Sequence, residues 1–258
     1  MIEWHNILGL TLTDFFTDTS YDVEMEADLS KKKQLLDLVI IERKDGDSPE
    51  ELPDGLGNLA GHNLISYKSH HETLNGWALD ELLGHYVNYR KQISPSFSKL
   101  LPEGDFRLYA LSTRYPEKLA GHVRLEPLGQ GVYQVSWGSR RVRVIVLSRI
   151  PEAGRNAVWL MFSANADRVG YGVSHYPWRT DISTVINDLF RKYRKEGIAM
   201  PYTVEDYRRH RKEEVLRTLT PEDIFEFFRP EELLRGLPED EIEGCLKILM
   251  RKRRKKSD

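Results

Sequence analysis

Apolar and polar residues alternate at every second position over residues 21–27, and this period predicts a strand with one exposed face. The next segment, 34–44, is almost wholly apolar in its middle, which predicts a strand covered on both faces. A loop rich in Gly, Pro and Asp then leads to a third predicted strand at 62–69. Before these strands, the mixed pattern at 11–16 predicts a short helix.

Apolar positions recur with a helical period at 74–92, so this segment is predicted to be a helix that packs on the sheet. Asn75 or Gly76 is expected to cap its start, and Ser94, which precedes a proline, to end it. Further strands are predicted at 106–113 and 157–163, with a hairpin of 132–137 and 141–147 between them.

The character of the chain changes beyond residue 163. Two helices are predicted, an amphipathic one at 182–193 and a strongly charged one at 204–219. Three short Pro-Glu repeats follow, each with proline at a first helical position and acids in the first turn. We therefore expect an α/β domain over 1–200, with a mixed central sheet flanked by helices, and a small C-terminal helical tail over 201–258.

The composition is that of a globular protein without a strong global field. Hydrophobic residues make up 40%, charged residues 30%, and the net charge is −2, so contacts with nucleic acid would have to come from local basic patches. The single cysteine, Cys245, excludes an internal disulfide and a cysteine-rich zinc site. With no signal-peptide pattern at the start and no apolar run of about 18 residues, we expect a cytoplasmic protein without membrane contact.

Two of the predicted strands carry polar residues that suggest chemistry. Asp37 lies in the second strand, and Ser66 and Lys68 share one face of the third. If the strands are neighbours, these three residues can stand together on one face. The carboxylate would then bind Mg²⁺ or Mn²⁺, and the lysine would position or deprotonate an attacking water.

Glu42 offers a rival arrangement. It shares a strand face with Lys44 and not with Asp37, and its partner acids would be Glu24 or Glu26 across the hairpin. A solvated ion pair at the exposed strand end is the simpler explanation of Glu42 and Lys44. An acid inside an apolar strand is costlier, because burying it needs a partner or a metal.

The order and spacing of these residues resemble the PD-(D/E)XK nuclease superfamily, and within it the recombination-promoting nuclease and transposase-associated branch. The resemblance covers roughly residues 10–165, and residues 230–241 also resemble the short helical repeats of that branch. It implies a restriction-endonuclease-like fold, with Asp37 as the metal-binding aspartate and Lys68 at the lysine or glutamine position. Ser66 stands where the family has a glutamate. Either Glu24, Glu26 or Glu42 enters the site instead, or cleavage has been lost.

The helix at 74–92 carries candidate nucleic-acid contacts. His85 is a candidate for a substrate phosphate, although a hydrogen bond to Glu81 one turn away explains it as well. Tyr89, Arg90 and Lys91 are candidates for a DNA backbone, or they end the helix with the favoured charge.

Basic clusters lie elsewhere, and each can bind phosphates or simply face solvent. They are Arg140, Arg141 and Arg143 at the hairpin tip, residues 208–212 on the charged helix, and the terminal run 251–256.

Two functions follow as hypotheses. The first is a metal-dependent DNA endonuclease, a hydrolase of phosphodiesters associated with recombination or mobile elements. The second is a cleavage-inactive nuclease fold that binds DNA or protein. In either case the tail repeats are candidates for an oligomerisation or docking segment, so a homo-oligomer is one expected assembly.

Overall fold

The computed structural model describes residues 4–28, 35–42, 51–176, 183–198 and 203–220, with seven separate positions beyond residue 220. The chain divides into two compact units, Met1–Arg208 and Arg209–Asp258. Most of the predicted Pro-Glu repeats, and the whole basic run at 251–256, lie outside the described residues.

A seven-stranded mixed sheet forms the centre of the first unit, in the order β1-β2-β3-β4-β7-β6-β5. Its middle pairs, β3 with β4 and β4 with β7, are parallel, and the other neighbouring pairs are antiparallel. The strands are β1 (Tyr21–Asp28), β2 (Leu35–Glu42), β3 (His62–Lys68), β4 (Phe106–Ser112), β5 (Glu126–Gly129), β6 (Val132–Trp137) and β7 (Arg140–Val146). The predicted mixed α/β class is confirmed.

Helices cover both faces of this sheet, which explains why β2 is apolar on both sides. Helix α1 (Trp4–Phe15) packs on the face that carries Leu38 and Ile40, and helix α2 (Gly76–Ile93) packs on the face that carries Val39. All three of these β2 side chains are fully buried.

Helix α2 begins and ends where the sequence predicts. The side chain of Asn75 accepts a hydrogen bond from the Ala78 N–H, and Ser94 is the C-cap. Because β3 and β4 are parallel, a crossover must join them, and α2 supplies it.

Helix α1 is longer than the predicted segment 11–16 and starts at Trp4. Its buried positions include Trp4, Ile7, Leu8 and Leu12, a helical stripe that exposed Leu10 obscures in the sequence. Gly9 lies against the side chain of Met25, where a Cβ atom would have no room. A side chain at position 9 would therefore require the flexible Met25 side chain, which is 38% exposed, to move.

The strand predicted at 157–163 is wrong, because Ala157–Leu160 form helix α4. All four side chains are buried, so the run shows no amphipathic period that would separate a helix from a strand. The indole N–H of Trp159 donates to the backbone oxygen of Asp54 at 3.0 Å, which ties α4 to the loop before β3.

Four helices complete the described structure, and two of them were not predicted. The unpredicted ones are α3 (Glu117–Ala120) and α5 (Ala166–His175), and the edge strand β5 was also not predicted. The predicted ones are α6 (Ser183–Lys195) and the charged α7 (Val204–Thr218). Within the described residues, no helix has the length and apolar character needed to cross a membrane.

Candidate functional site

Strands β2 and β3 stop pairing at the point where Asp37 stands. Their last paired residues are Leu38 and Ile65, so the next position along would set Asp37 opposite Ser66. Instead of a backbone acceptor, the Asp37 carboxylate receives the Tyr67 N–H, with Oδ2 at 2.8 Å from the nitrogen. The Asp37 side chain thus replaces one main-chain hydrogen bond between β2 and β3.

The carbonyl of Tyr67 faces the same gap and is satisfied from helix α1. His5 Nε2 lies 3.3 Å from the Tyr67 oxygen and 3.4 Å from Asp37 Oδ1. An Nε2–H donor can serve both oxygens, which links α1, β2 and β3 at one point. Only 18% of the Asp37 side chain and 27% of the His5 side chain are exposed.

This arrangement differs from the one that strand parity predicts. Parity sets Asp37 on the α2 face beside Ser66 and Lys68, which is also the face of Val39 and Leu64. Because the ladder ends after Leu38, an unpaired main-chain N–H is available, and the carboxylate turns into the gap between the strands to accept it.

His85 stands close enough to Asp37 and to Lys68 for both charges to affect its pKa. Burial lowers the pKa of His85, Lys68 lowers it further, and the charges of Asp37 and Glu81 oppose the shift. His85 Nδ1 is buried and has no hydrogen-bond partner among the described residues. At neutral pH His85 is therefore a neutral imidazole, and one that is able to accept a proton.

Glu72 adds a second carboxylate near the end of β3. Burial alone would raise the pKa of Glu72, but the Ser69 hydroxyl and N–H both donate to Oε2, and Lys68 and His5 add positive charge, so the pKa is lowered. The Oε2 distances are 2.7 Å to the hydroxyl and 3.0 Å to the nitrogen. Glu72 thus stabilises the turn after β3 as an anion.

The residues around Asp37 would form a sparse cation site. Among the described residues, no three His, Cys, Asp or Glu side chains converge on one point where a metal ion could bind. Ser66 is 8% exposed and supplies a hydroxyl where a carboxylate would be stronger. Mg²⁺ is often held by only one or two carboxylates, with water and substrate phosphates completing its shell. Asp37 fits that role.

Of the rival carboxylates, Glu42 lies far from Asp37 and Glu24 lies on the neighbouring strand. Glu42 pairs with Tyr21 at the opposite end of β2, five residues and about 17 Å along the strand from Asp37. Glu24 pairs with Val39, one diagonal position from Asp37, and burial together with the charge of Glu24 raises the pKa of Tyr89. The side chain of Glu26 lies outside the described residues.

Two of the candidate nucleic-acid contacts on α2 are engaged inside the fold. Tyr89 is 4% exposed, and its hydroxyl lies 3.0 Å from His62 Nδ1. Arg90 donates to the backbone oxygen of Leu101 at 2.8 Å. Tyr89 is thus buried and Arg90 is held by the fold, and the contacts of His85, Tyr89, Arg90 and Lys91 with nucleic acid stay predictions.

His5 is the residue of this site that the sequence did not reveal. It lies in a segment where no helix was predicted, so nothing linked it to β2. A helix starting at Trp4 would have set His5 beside the buried stripe.

Comparisons with protein-family models, with curated proteins and with solved structures give no match to this chain.

Three half-buried histidines predict how the stability of the protein depends on pH. Burial lowers the pKa of His62, His70 and His85 below the ordinary value of about 6.5. Below about pH 6.5 the unfolded chain therefore binds more protons, so the free energy of unfolding falls as the pH is lowered. In urea unfolding, the free energy of unfolding should fall less between pH 7.5 and pH 5.5 for His85→Gln than for the wild type.

The matched control is His122→Gln, because His122 is exposed. This variant should keep the wild-type loss of stability between the two pH values. If His85→Gln lost as much stability as the wild type, His85 would not be held neutral by the fold.

Proposed function

We propose that this protein is a metal-dependent DNA endonuclease with a restriction-endonuclease-like core, and that Asp37 and Lys68 lie at its active site. The observation that carries the proposal is the position of the Asp37 carboxylate, which is fixed by a main-chain N–H at the point where β2 and β3 separate. Lys68 is the last residue of the adjacent strand β3. An aspartate on the second strand and a lysine on the third form the pattern that the superfamily resemblance predicts.

Each residue can be given a role in phosphodiester hydrolysis. A divalent cation bound by Asp37 would polarise the scissile phosphate. Lys68 contributes positive charge that stabilises the additional negative charge of the transition state. His85, neutral at pH 7, accepts the proton of the attacking water as the new P–O bond forms. The bond from phosphorus to the leaving oxygen then breaks, and that oxygen takes a proton from solvent.

His5 supports the site without being part of the chemistry. Its Nε2 lies near both Asp37 Oδ1 and the Tyr67 oxygen, so it limits rotation of the carboxylate. We assign it the role of a positioning residue. Association with recombination or mobile elements rests on the resemblance to the transposase-associated branch, over roughly residues 10–165 and in the tail, and belongs to the same proposal.

Nicking of supercoiled plasmid in the presence of Mg²⁺ or Mn²⁺ tests the proposal. Asp37→Asn and Lys68→Met should each lower the initial rate about 100-fold or more, the size of effect expected when a charge that stabilises the transition state is removed. Glu42→Gln is the matched control, because Glu42 is an exposed acid at the opposite end of β2, and it should nick at the wild-type rate.

Chelation of the metal should abolish nicking by every variant that is active. Equal rates for the wild type, Asp37→Asn and Lys68→Met would remove both residues from the mechanism.

One feature of the site favours a second function, in which the protein is a cleavage-inactive nuclease fold that binds DNA or protein. Ser66 supplies no charge, and the two Asp37 oxygens already face the Tyr67 N–H and His5. The same groups that fix Asp37 therefore reduce its capacity to bind a cation.

Thermal unfolding with millimolar Mn²⁺ separates the two functions. A ligand that binds only the folded state raises the melting temperature, so an active site should give a shift that Asp37→Asn removes. An inactive site should give no shift in the wild type. Ser66→Glu would then be expected to create one, because it sets a second carboxylate opposite Asp37.

A shift that is equal in the wild type and in Asp37→Asn would place the Mn²⁺ elsewhere and would contradict both accounts of this site. The metal-free Ser66→Glu variant serves as the reference for any loss of stability that the added charge causes by itself.

A further inference from the structure

Arginines concentrate at the end of the central strands β4 and β7 that lies away from Asp37. Arg141 and Arg143 share one face of β7, and Tyr109 of the parallel neighbour β4 pairs with Arg143. The same register sets Arg107 level with Arg141 on the adjacent strand. With Arg140 they line a cleft of about 340 Å³, which we name the arginine cleft.

The positive charge of this cleft is only partly compensated. Glu103 lines the cleft and binds Arg140 through both of its oxygens, and it also lies 3.3 Å from Arg90. Hydrogen bonds from Arg140 lower the pKa of Glu103 to about 2, so it stays an anion. Within the described parts of the chain, Arg107, Arg141 and Arg143 form no ion pair with a carboxylate.

Like charges on neighbouring strand positions destabilise a sheet. Three guanidinium groups without a carboxylate partner therefore cost stability in the free protein. A bound anion would remove that cost, so the cluster is better explained by a ligand than by the needs of the fold.

Arg143 shows that the hydrogen bonding of the cluster is incomplete. Its Nη1 donates to the Gly55 oxygen at 3.0 Å and to the Asn58 side chain, which hold the guanidinium in place. Its Nε is buried without a partner among the described residues. A buried charged donor without an acceptor is costly, and an anion bound in the cleft would lower that cost by neutralising the charge of the guanidinium rather than by contacting the buried Nε.

The walls of the cleft suggest the class of ligand. Tyr86 and Phe106 line the cleft but are almost fully buried, and Arg140 lies 5.0 Å over the Tyr86 ring, so a ligand would meet mainly guanidinium groups. Guanidinium groups match the oxygens of phosphate, and three of them suit a dianion better than a single carboxylate. We propose that the arginine cleft binds the phosphate group of a small phosphorylated ligand.

This site is separate from the one that contains Asp37. Asp37 contacts Tyr67 near the carboxyl end of β3, whereas Arg107 lies near the amino end of the parallel strand β4 and pairs with Asn63. Four residues of strand, about 13 Å, separate the levels of Asn63 and Tyr67. The proposal thus stands whether or not the protein cleaves DNA.

Calorimetric titration with pyrophosphate, at constant ionic strength, tests the proposal on the full chain. The wild type should bind, and Arg141→Gln should bind about tenfold more weakly, since a factor of ten corresponds to about 1.4 kcal/mol and one charge-assisted hydrogen bond contributes about that much. Arg141 is exposed, so its substitution leaves the packing intact. Arg143→Lys should also weaken binding, because lysine cannot present the planar fork.

The matched control is Arg124→Gln, an exposed arginine outside the cleft, which should bind as the wild type does. Absence of binding to the wild type, or equal binding by wild type, Arg141→Gln and Arg124→Gln, would overturn the proposal. A short single-stranded oligonucleotide as competitor identifies the source of the phosphate. If the oligonucleotide fails to displace pyrophosphate from the wild type, the ligand is a small molecule. If the oligonucleotide displaces pyrophosphate fully, and Arg141→Gln abolishes that displacement, the ligand is nucleic acid and the proposal of a small ligand is overturned.

Discussion

The geometry of the candidate site depends on how the two main-chain groups of Tyr67 are satisfied. Strands β2 and β3 separate after Leu38 and Ile65, which leaves the Tyr67 N–H and carbonyl facing a gap inside a largely buried sheet. A buried main-chain group without a partner costs about 1–3 kcal/mol. Asp37 accepts from the N–H, and His5 approaches the carbonyl, so two side chains replace the main-chain hydrogen bonds that β2 does not form here.

The same constraint explains why a carboxylate can lie in an apolar strand. Asp37 is fixed at the mouth of the gap, where Lys68 and His85 contribute a positive charge and a neutral imidazole. A carboxylate held in this way is preorganised for a cation or for substrate, but its oxygens are already partly used. Hydrolysis and cleavage-inactive binding are therefore both compatible with this arrangement. The absence of a second carboxylate at position 66, where Ser66 stands, favours the inactive form.

Sequence patterns predicted most of the fold and only part of the site. The apolar run of β2 indicated a strand buried on both faces, and the alternation of β1 indicated a strand with one exposed face. The capping by Asn75 followed from local chemistry. The run at 157–160 failed because a fully buried helix has no polar face to reveal its period.

The contacts of His5 and the inward turn of Asp37 could not be predicted. Both depend on where β2 stops pairing with β3, and that point is set by tertiary packing rather than by the residues near it. The arginine cleft is similar, because Arg107 and Arg143 are 36 positions apart in the sequence and are joined only by the pairing of β4 with β7.

Amide hydrogen exchange at Tyr67 tests most directly the claim that the Asp37 carboxylate replaces a rung of the sheet. In the wild type the Tyr67 N–H should be protected, and in Asp37→Ala it should exchange at least about tenfold faster, because its acceptor is gone. The Thr113 N–H, which donates to the Lys68 oxygen at 3.0 Å on the other side of β3, should keep its protection and serves as the reference. Equal exchange of the Tyr67 N–H in the two proteins would contradict the account.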